Sequence, residues 1–473
     1  MAQRTLDSTI GFTNSQLEPG RGTLISVGRN TVVFEAYNPY SIVQLSEVLA
    51  DVQILRGERV VYKGRAVVSN IVSTGVMLIV SATLVDPWQD LIGLTNTSEL
   101  RDEVLQFVED FDRTHGVLPD YQVIVGKLTG FLAELSRWLE QVEVSQLAGT
   151  GDAVVQDDRK QELSREIGQT LDDRLGEMMT RFEEAAAQVD PDAQIAHKNY
   201  ARRQLHPYTL VAPFVHRTFT KPLGYAGDYE MVNMILSEPF NGRNTYAQVI
   251  NAAILRSKGA QAHRNRVDYL TAQLRNEVKR FASEGRRMRV LNVGCGPAGE
   301  LQRFVREEPL ADRVEFHLMD FNEETLAYTR GAVMKECEIA GRKPLVQFIH
   351  RSVNDILREA ARGALGKNDE PPPTYDIVYC AGLFDYLNDK ICKRLMGLFA
   401  SWTNPGGLTI STNVHPNNDV RFFIEHVLEW NLIYRDEKQM MAVAPDTGDS
   451  KVLCDETGVN VFLEVRKAAE GAT

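Results

Sequence analysis

Arg289-Val-Leu-Asn-Val-Gly294-Cys295-Gly296-Pro-Ala-Gly299-Glu300-Leu301 decides how the second half of this 473-residue chain is read. The apolar run Val290 to Val293 meets three closely spaced glycines, and Glu300 to Arg306 then reads as an amphipathic helix. Strand, glycine turn and helix in that order bring bare backbone up to a ligand, and Gly296 leaves no side chain in the way.

Outward from the turn, strands and helices alternate, the pattern of a parallel α/β sheet. Val314–Met319 reads as a strand ending in Asp320, whose carboxylate can take both hydroxyls of a ribose. Val346–His350 leads into Ser352-Val353-Asn354-Asp355, and Tyr375 to Leu383 is a fourth strand ending in small residues before Phe384-Asp385-Tyr386-Leu387. Asn404-Pro405-Gly406-Gly407 precedes the strand Leu408–Thr412, and Leu432–Tyr434 and Val459–Arg466 are the closing strand candidates. The glycine spelling is also G-x-G-x-x-G, so the turn and the acid fit NAD as well as S-adenosylmethionine (SAM).

The whole series over residues 286–473 resembles class I SAM-dependent methyltransferases. That resemblance implies an α/β fold with a Rossmann-like seven-stranded sheet, an antiparallel last strand, and SAM as cofactor. It implies that Gly294, Cys295, Gly296 and Gly299 face the methionine part of SAM, with Cys295 a small buried side chain rather than a redox group. Asp320 would hold the ribose, Val353 and Asn354 the adenine, and Cys380 and Ala381 would lie beside the sulfonium. An NAD enzyme is the alternative left open.

The front of the chain divides in two. Residues 1–95 carry short β-branched runs at Thr23–Val27, Thr31–Ala36, Ile42–Leu45, Arg59–Tyr62, Arg65–Ile71 and Val76–Leu84, punctuated by Gly, Asn and Pro, which predicts a small β-barrel. Residues 96–285 read as a helical region, with helices from about Thr97 and from Pro119 to Val144, and a linker at Gly149-Thr150-Gly151-Asp152. Leu163, Ile167, Leu171, Leu175, Met178 and Phe182 form an apolar stripe. It serves either a dimerising coiled coil, hence a homodimer through this region, or packing within a helical bundle; barely three heptads favour the bundle.

Phe219-Thr-Lys221-Pro222-Leu-Gly224-Tyr225-Ala-Gly227-Asp228-Tyr229-Glu230-Met231 interrupts the helices. Two glycines around a tyrosine make either a loop capped by Asp228 or a lid whose Tyr225 covers the cofactor. This motif, with Val33 to Glu47 and Tyr62 to Ser69, resembles bacterial proteins assigned to 3-hydroxypalmitic acid methyl ester biosynthesis, a family making a quorum-sensing signal. The implied reaction is methylation of a fatty-acyl carboxylate. Another small molecule, a protein side chain, or SAM binding without turnover are the alternatives. Candidate catalytic residues are His415, at the edge of strand five, with Tyr225 and Asp385. An ionised carboxylate needs no base, so His415 would orient it.

The barrel resembles PilZ domains, a family that commonly binds cyclic di-GMP. Arg21 stands before the first predicted strand, and Leu24-Ile-Ser26-Val-Gly28 matches the Asp-x-Ser-x-x-Gly turn only loosely, so protein contact is the preferred reading over cyclic di-GMP. A net charge of −12 argues against nucleic acid as a general partner. Five dispersed cysteines and nine histidines show no ligand spacing, so no metal is expected. The polar start and the interrupted run Ile71–Val85 predict neither a secretory signal nor a transmembrane segment, and a cytoplasmic location is the expectation.

Overall fold

The structure is a computed structural model that describes residues 8–28, 30–36, 43–56, 59–73, 78–88, 101, 104–105, 108, 116–147, 153–361 and 374–469. Six antiparallel strands close the N-terminal barrel: β1 (Ser8–Thr13), β2 (Pro19–Val27), β3 (Thr31–Ala36), β4 (Val48–Arg56), β5 (Arg59–Ser73) and β6 (Leu78–Leu84), in the order β1-β2-β3-β6-β5-β4 with β4 pairing back onto β1. Apolar residues of the six strands fill the interior, among them Ile10, Phe12, Leu24, Phe34, Leu49, Ile54 and Tyr62.

Three details depart from the sequence reading. Arg21 lies inside β2, not ahead of the first strand. The two runs from Arg59 and from Arg65 are one continuous strand, β5, passing through Gly64. Part of the strand expected at Ile42–Leu45 lies outside the described residues; the strand that forms is β4, and Val43 to Glu47 precede it. Asp51, with φ of +48°, and the register shift between Leu49 and Val52 break the alternation that would have revealed β4.

The helical region packs α1 (Pro119–Leu147), α2 (Ala153–Ala187), α3 (Gln194–Thr209), α4 (Pro213–Thr220), α5 (Tyr229–Leu236), α6 (Thr245–Leu255) and α7 (Lys258–Ser283). The expected linker at 149–152 lies outside the described residues, as does most of the helix expected from Thr97. Ile167, Leu171, Leu175, Met178 and Phe182 join a core with Tyr121, Leu128 and Val249, so the stripe packs within the chain. No helix among the described residues is long and apolar enough to cross a membrane.

The C-terminal sheet has seven strands in the order β12-β13-β11-β10-β7-β8-β9. They are β7 (Met288–Val293), β8 (Val314–Asp320), β9 (Leu345–His350), β10 (Tyr375–Cys380), β11 (Thr403–Val414), β12 (Gly448–Cys454) and β13 (Asn460–Lys467). Neighbours from β9 through β11 run parallel, and β13 is antiparallel to both β11 and β12. The expected sheet is therefore present, with one correction. Leu432–Tyr434 is not a strand, and the sixth strand is β12, which is largely exposed and has no buried face to give an apolar alternation. Helices α8 (Gly299–Glu307), α9 (Glu323–Ala340), α10 (Val353–Ala361), α11 (Asp389–Trp402), α12 (Arg421–His426) and α13 (Glu437–Met441) follow in chain order. Strand order reverses between β7 and β10, and open α/β sheets bind ligands at the carboxyl ends of strands at such a point.

Candidate functional site

The glycine turn leaves β7 at that crossover. Gly294 and Gly296 have φ of +69° and +50°, and nothing lies within 4 Å of where a Cβ would stand on either. Both are required by the backbone, and both leave an open cradle. Gly299 has a different reason: a Cβ there would approach Leu236 Cδ1 at 2.9 Å, so it lets α8 pack against α5. The amides of Gly294 and Cys295 both donate to Met319 O, tying the turn to the end of β8.

Asp320 ends β8, buried, with Oδ2 accepting from Gly296 N at 3.1 Å and Oδ1 from Asn322 N at 3.0 Å. Each oxygen keeps lone-pair capacity for a ribose hydroxyl. Desolvation raises the Asp320 pKa above the ordinary carboxylate value, against the pull of these backbone donors. Glu300, in the first turn of α8, accepts from Tyr379 Oη at 2.7 Å and Asn292 Nδ2 at 3.0 Å, and burial raises its pKa too.

These groups line a cavity of about 140 Å³ together with Gly294, Cys295, Gly296, Gly299, Val353, Ala381, Tyr225 and Asp385. Cys380 is buried within the sheet and does not line it, and Asn354 is buried behind it, its amide turned to Gln16 at 3.0 Å. Burial pushes the Cys295 thiol well up, which keeps it protonated.

The 219–231 segment carries the expected cap. Asp228 caps α5 by accepting from Met231 N at 2.8 Å and pairs with Arg217 Nε at 2.9 Å. Tyr225 lines the cavity, its ring 5.3 Å from that of Phe321. Gly224 has φ of +88°, and a Cβ on Gly227 would lie 2.6 Å from Tyr386 Oη, so conformation and close approach account for both glycines without motion.

His415 lines neither this cavity nor the one beside it. Its Nδ1 accepts from Asn417 N at 3.1 Å and its Nε2 faces Glu437 at 3.4 Å, so it is held at the rim of β11. Asp385 accepts from Val414 N at 2.7 Å.

What sequence reading missed is the second, apolar cavity, lined by Phe214, Ile235, Ile254, Val420, Phe423 and Val459 among others. Both cavities share His263, Arg266, Val414, Trp430 and Leu432. Arg266 is buried with 9% exposure, and its guanidinium makes no hydrogen bond or salt bridge to any described residue. Asp385 and Glu300 act on it only as nearby charges. His263 Nδ1 donates to Gly259 O at 3.0 Å, and desolvation followed by the Arg266 charge lowers its pKa to about 3, so the ring is neutral. The available signal was helical phase: Arg266 continues the buried face of Leu270, Leu274, Val278 and Phe281 on α7, where an arginine is out of place unless something is to be held there.

The fold and the turn define an open α/β sheet with a pocket at its crossover. No protein-family model and no curated protein matches the chain. Among solved structures, it is similar to a "possible exported protein" from Bordetella parapertussis (16% identity, TM-score 0.43, covering 63% of this chain and 97% of that one). It is also similar to magnesium protoporphyrin IX methyltransferase from Synechocystis PCC 6803 with bound S-adenosylhomocysteine (13%, 0.33, 57% and 99%). A third is an O-methyltransferase family protein from Burkholderia thailandensis (15%, 0.32, 60% and 74%). At such identities the reaction has to be read from the site itself.

Proposed function

We propose that this chain is a SAM-dependent O-methyltransferase whose acceptor presents an anionic group, a carboxylate, to Arg266. The observation that carries the acceptor reading is Arg266: a buried guanidinium without a partner among the described residues, at the junction of a cofactor cavity and an apolar one. A buried cation stays charged at a cost unless paired, so the site favours an anion. The cofactor reading rests on the open glycine cradle and on Asp320, which fit a nucleoside carrying an amino-acid tail.

When bound, SAM supplies an electrophilic methyl group on a sulfonium. Methylation of a carboxylate there would give a neutral ester and a neutral thioether with no proton to move, so this chain would need no general base for it. The residues' task is then positioning and exclusion of water. Arg266 orients the carboxylate in its plane, and His263, neutral and anchored by Gly259, adds a wall without competing charge. The fine reading, a 3-hydroxy fatty acid giving its methyl ester, draws on the apolar lining. That second cavity measures about 50 Å³, which holds a few heavy atoms at roughly 10–15 Å³ each, so a long tail needs the helical cap to part. The test is mass spectrometry of products after incubating the chain with methyl-labelled SAM and 3-hydroxypalmitate or a lipid extract. Labelled methyl ester supports the reading; methyl ether, labelled protein or no transfer contradicts it.

A further inference from the structure

The cofactor cavity is not walled by the sheet and helical cap alone: Gln16 and Gln44 of the barrel also line it. Gln16 sits in the turn between β1 and β2, which Asn14 holds by accepting from Gln16 N at 3.0 Å and Glu18 N at 2.8 Å. Glu47 joins this turn to the one carrying Gln44, accepting from Ser15 N at 2.8 Å, Ser15 Oγ at 2.6 Å and Gln44 N at 2.7 Å while itself buried. The pair of turns docks on α10, where Glu18 forms a two-point ion pair with Arg358 at 2.6 and 3.2 Å. It docks also on the 219–231 segment, through Val48 N to Gly224 O at 2.6 Å, and on Asn431 through Ser46.

We infer that the barrel is the lid of the cofactor pocket, supplying Gln16 to its nucleoside end and releasing the Glu18–Arg358 latch for cofactor exchange. This rests on the SAM reading above. Gln16 Oε1 is engaged by Asn354 Nδ2, which fixes the carboxamide, while Gln16 Nε2 has no hydrogen-bond partner among the described residues. Gln16 lines the cavity, so this free N–H2 can donate to a ring-nitrogen acceptor on the edge of adenine, while Asn354 behind it holds the carboxamide in place. Every contact named between barrel and catalytic unit is polar, and the latch is only half-buried, so it can open without exposing a core.

The test uses the full chain and S-adenosylhomocysteine, with dissociation rates from stopped-flow and affinities from calorimetry. Glu18→Arg should speed dissociation about fivefold, the order a partly exposed ion pair carries, and Glu18→Arg with Arg358→Glu should return it to near the wild-type rate. Gln16→Ala should weaken S-adenosylhomocysteine about tenfold, the order of one buried hydrogen bond, and weaken its deaminated, hypoxanthine analogue less. Unchanged rates in Glu18→Arg, a double variant no slower than the single, or equal losses for both nucleosides in Gln16→Ala would overturn the lid. A wild-type chain that binds no S-adenosylhomocysteine would instead overturn the SAM reading, and the lid with it.

Discussion

The two halves of the site are built differently. The proposed cofactor half is centred on backbone: a glycine turn, the ends of β7, β8 and β10, and one carboxylate held by two amides. The proposed acceptor half is made of long side chains from a cap helix, Arg266 and His263, set against apolar residues from α4, α5, α6 and α12. A site made by backbone has to spell its turn in consecutive residues. A site made by side chains from distant elements leaves no local spelling. The same division separates what a substitution should do on each side.

The largest effect should fall on the acceptor half. Arg266→Met removes the charge proposed to orient the acceptor while keeping volume, and kcat/KM should drop by about 3–4 kcal/mol of transition-state stabilisation, roughly two to three orders of magnitude, with SAM affinity little changed. Arg266→Lys should recover only part, because a planar fork is lost. Equal loss of SAM binding in calorimetry would erase the proposed division between halves.

On the cofactor half, Asp320→Ala should weaken SAM by about 2–4 kcal/mol through lost bonds to a charged acceptor. Since desolvation raises the Asp320 pKa, SAM affinity should fall as pH drops through that raised value, at higher pH than for an ordinary aspartate. A binding curve flat down to the ordinary carboxylate range would contradict this.

His263 gives a pH signature that separates structure from chemistry. Its folded pKa, about 3, lies below the unfolded value near 6.5, so between those limits the unfolded chain binds more protons. Stability is therefore full above about 6.5 and is lost as pH falls through the window. His263→Gln should flatten that part of the Tm–pH curve, and wild-type turnover on a carboxylate should show no limb from His263 near neutrality.

The fold was legible where pattern is local. The β7 turn, Asp320 at the end of β8 and the Pro-Gly-Gly bulge entering β11 each announce themselves in a few residues. The strand β4 was not, because Asp51 interrupts its alternation, nor β12, whose residues are largely exposed and show no apolar alternation. His415 was drawn into the candidate site by its place in the chain, one residue beyond β11; its ring instead accepts from Asn417. Arg266 went unread because nothing in 258–283 but its phase on α7 distinguishes it from the arginines around it.

Smaller effects should follow the same line. Tyr225→Ala removes a wall of the cavity and its Phe321 contact, and should slow turnover more than it lowers Tm. His415→Gln should be close to neutral, since a glutamine carbonyl can still accept from Asn417 N; a large loss of activity would restore His415 to the acceptor site.

Calorimetric titration of the full chain with SAM and, separately, with NADH asks most directly whether the pocket at the β7–β10 crossover holds SAM. SAM should bind at one site per chain, weakened by Asp320→Ala, and NADH should not compete. NADH binding in preference to SAM, or SAM binding indifferent to Asp320, would contradict the assignment of that pocket.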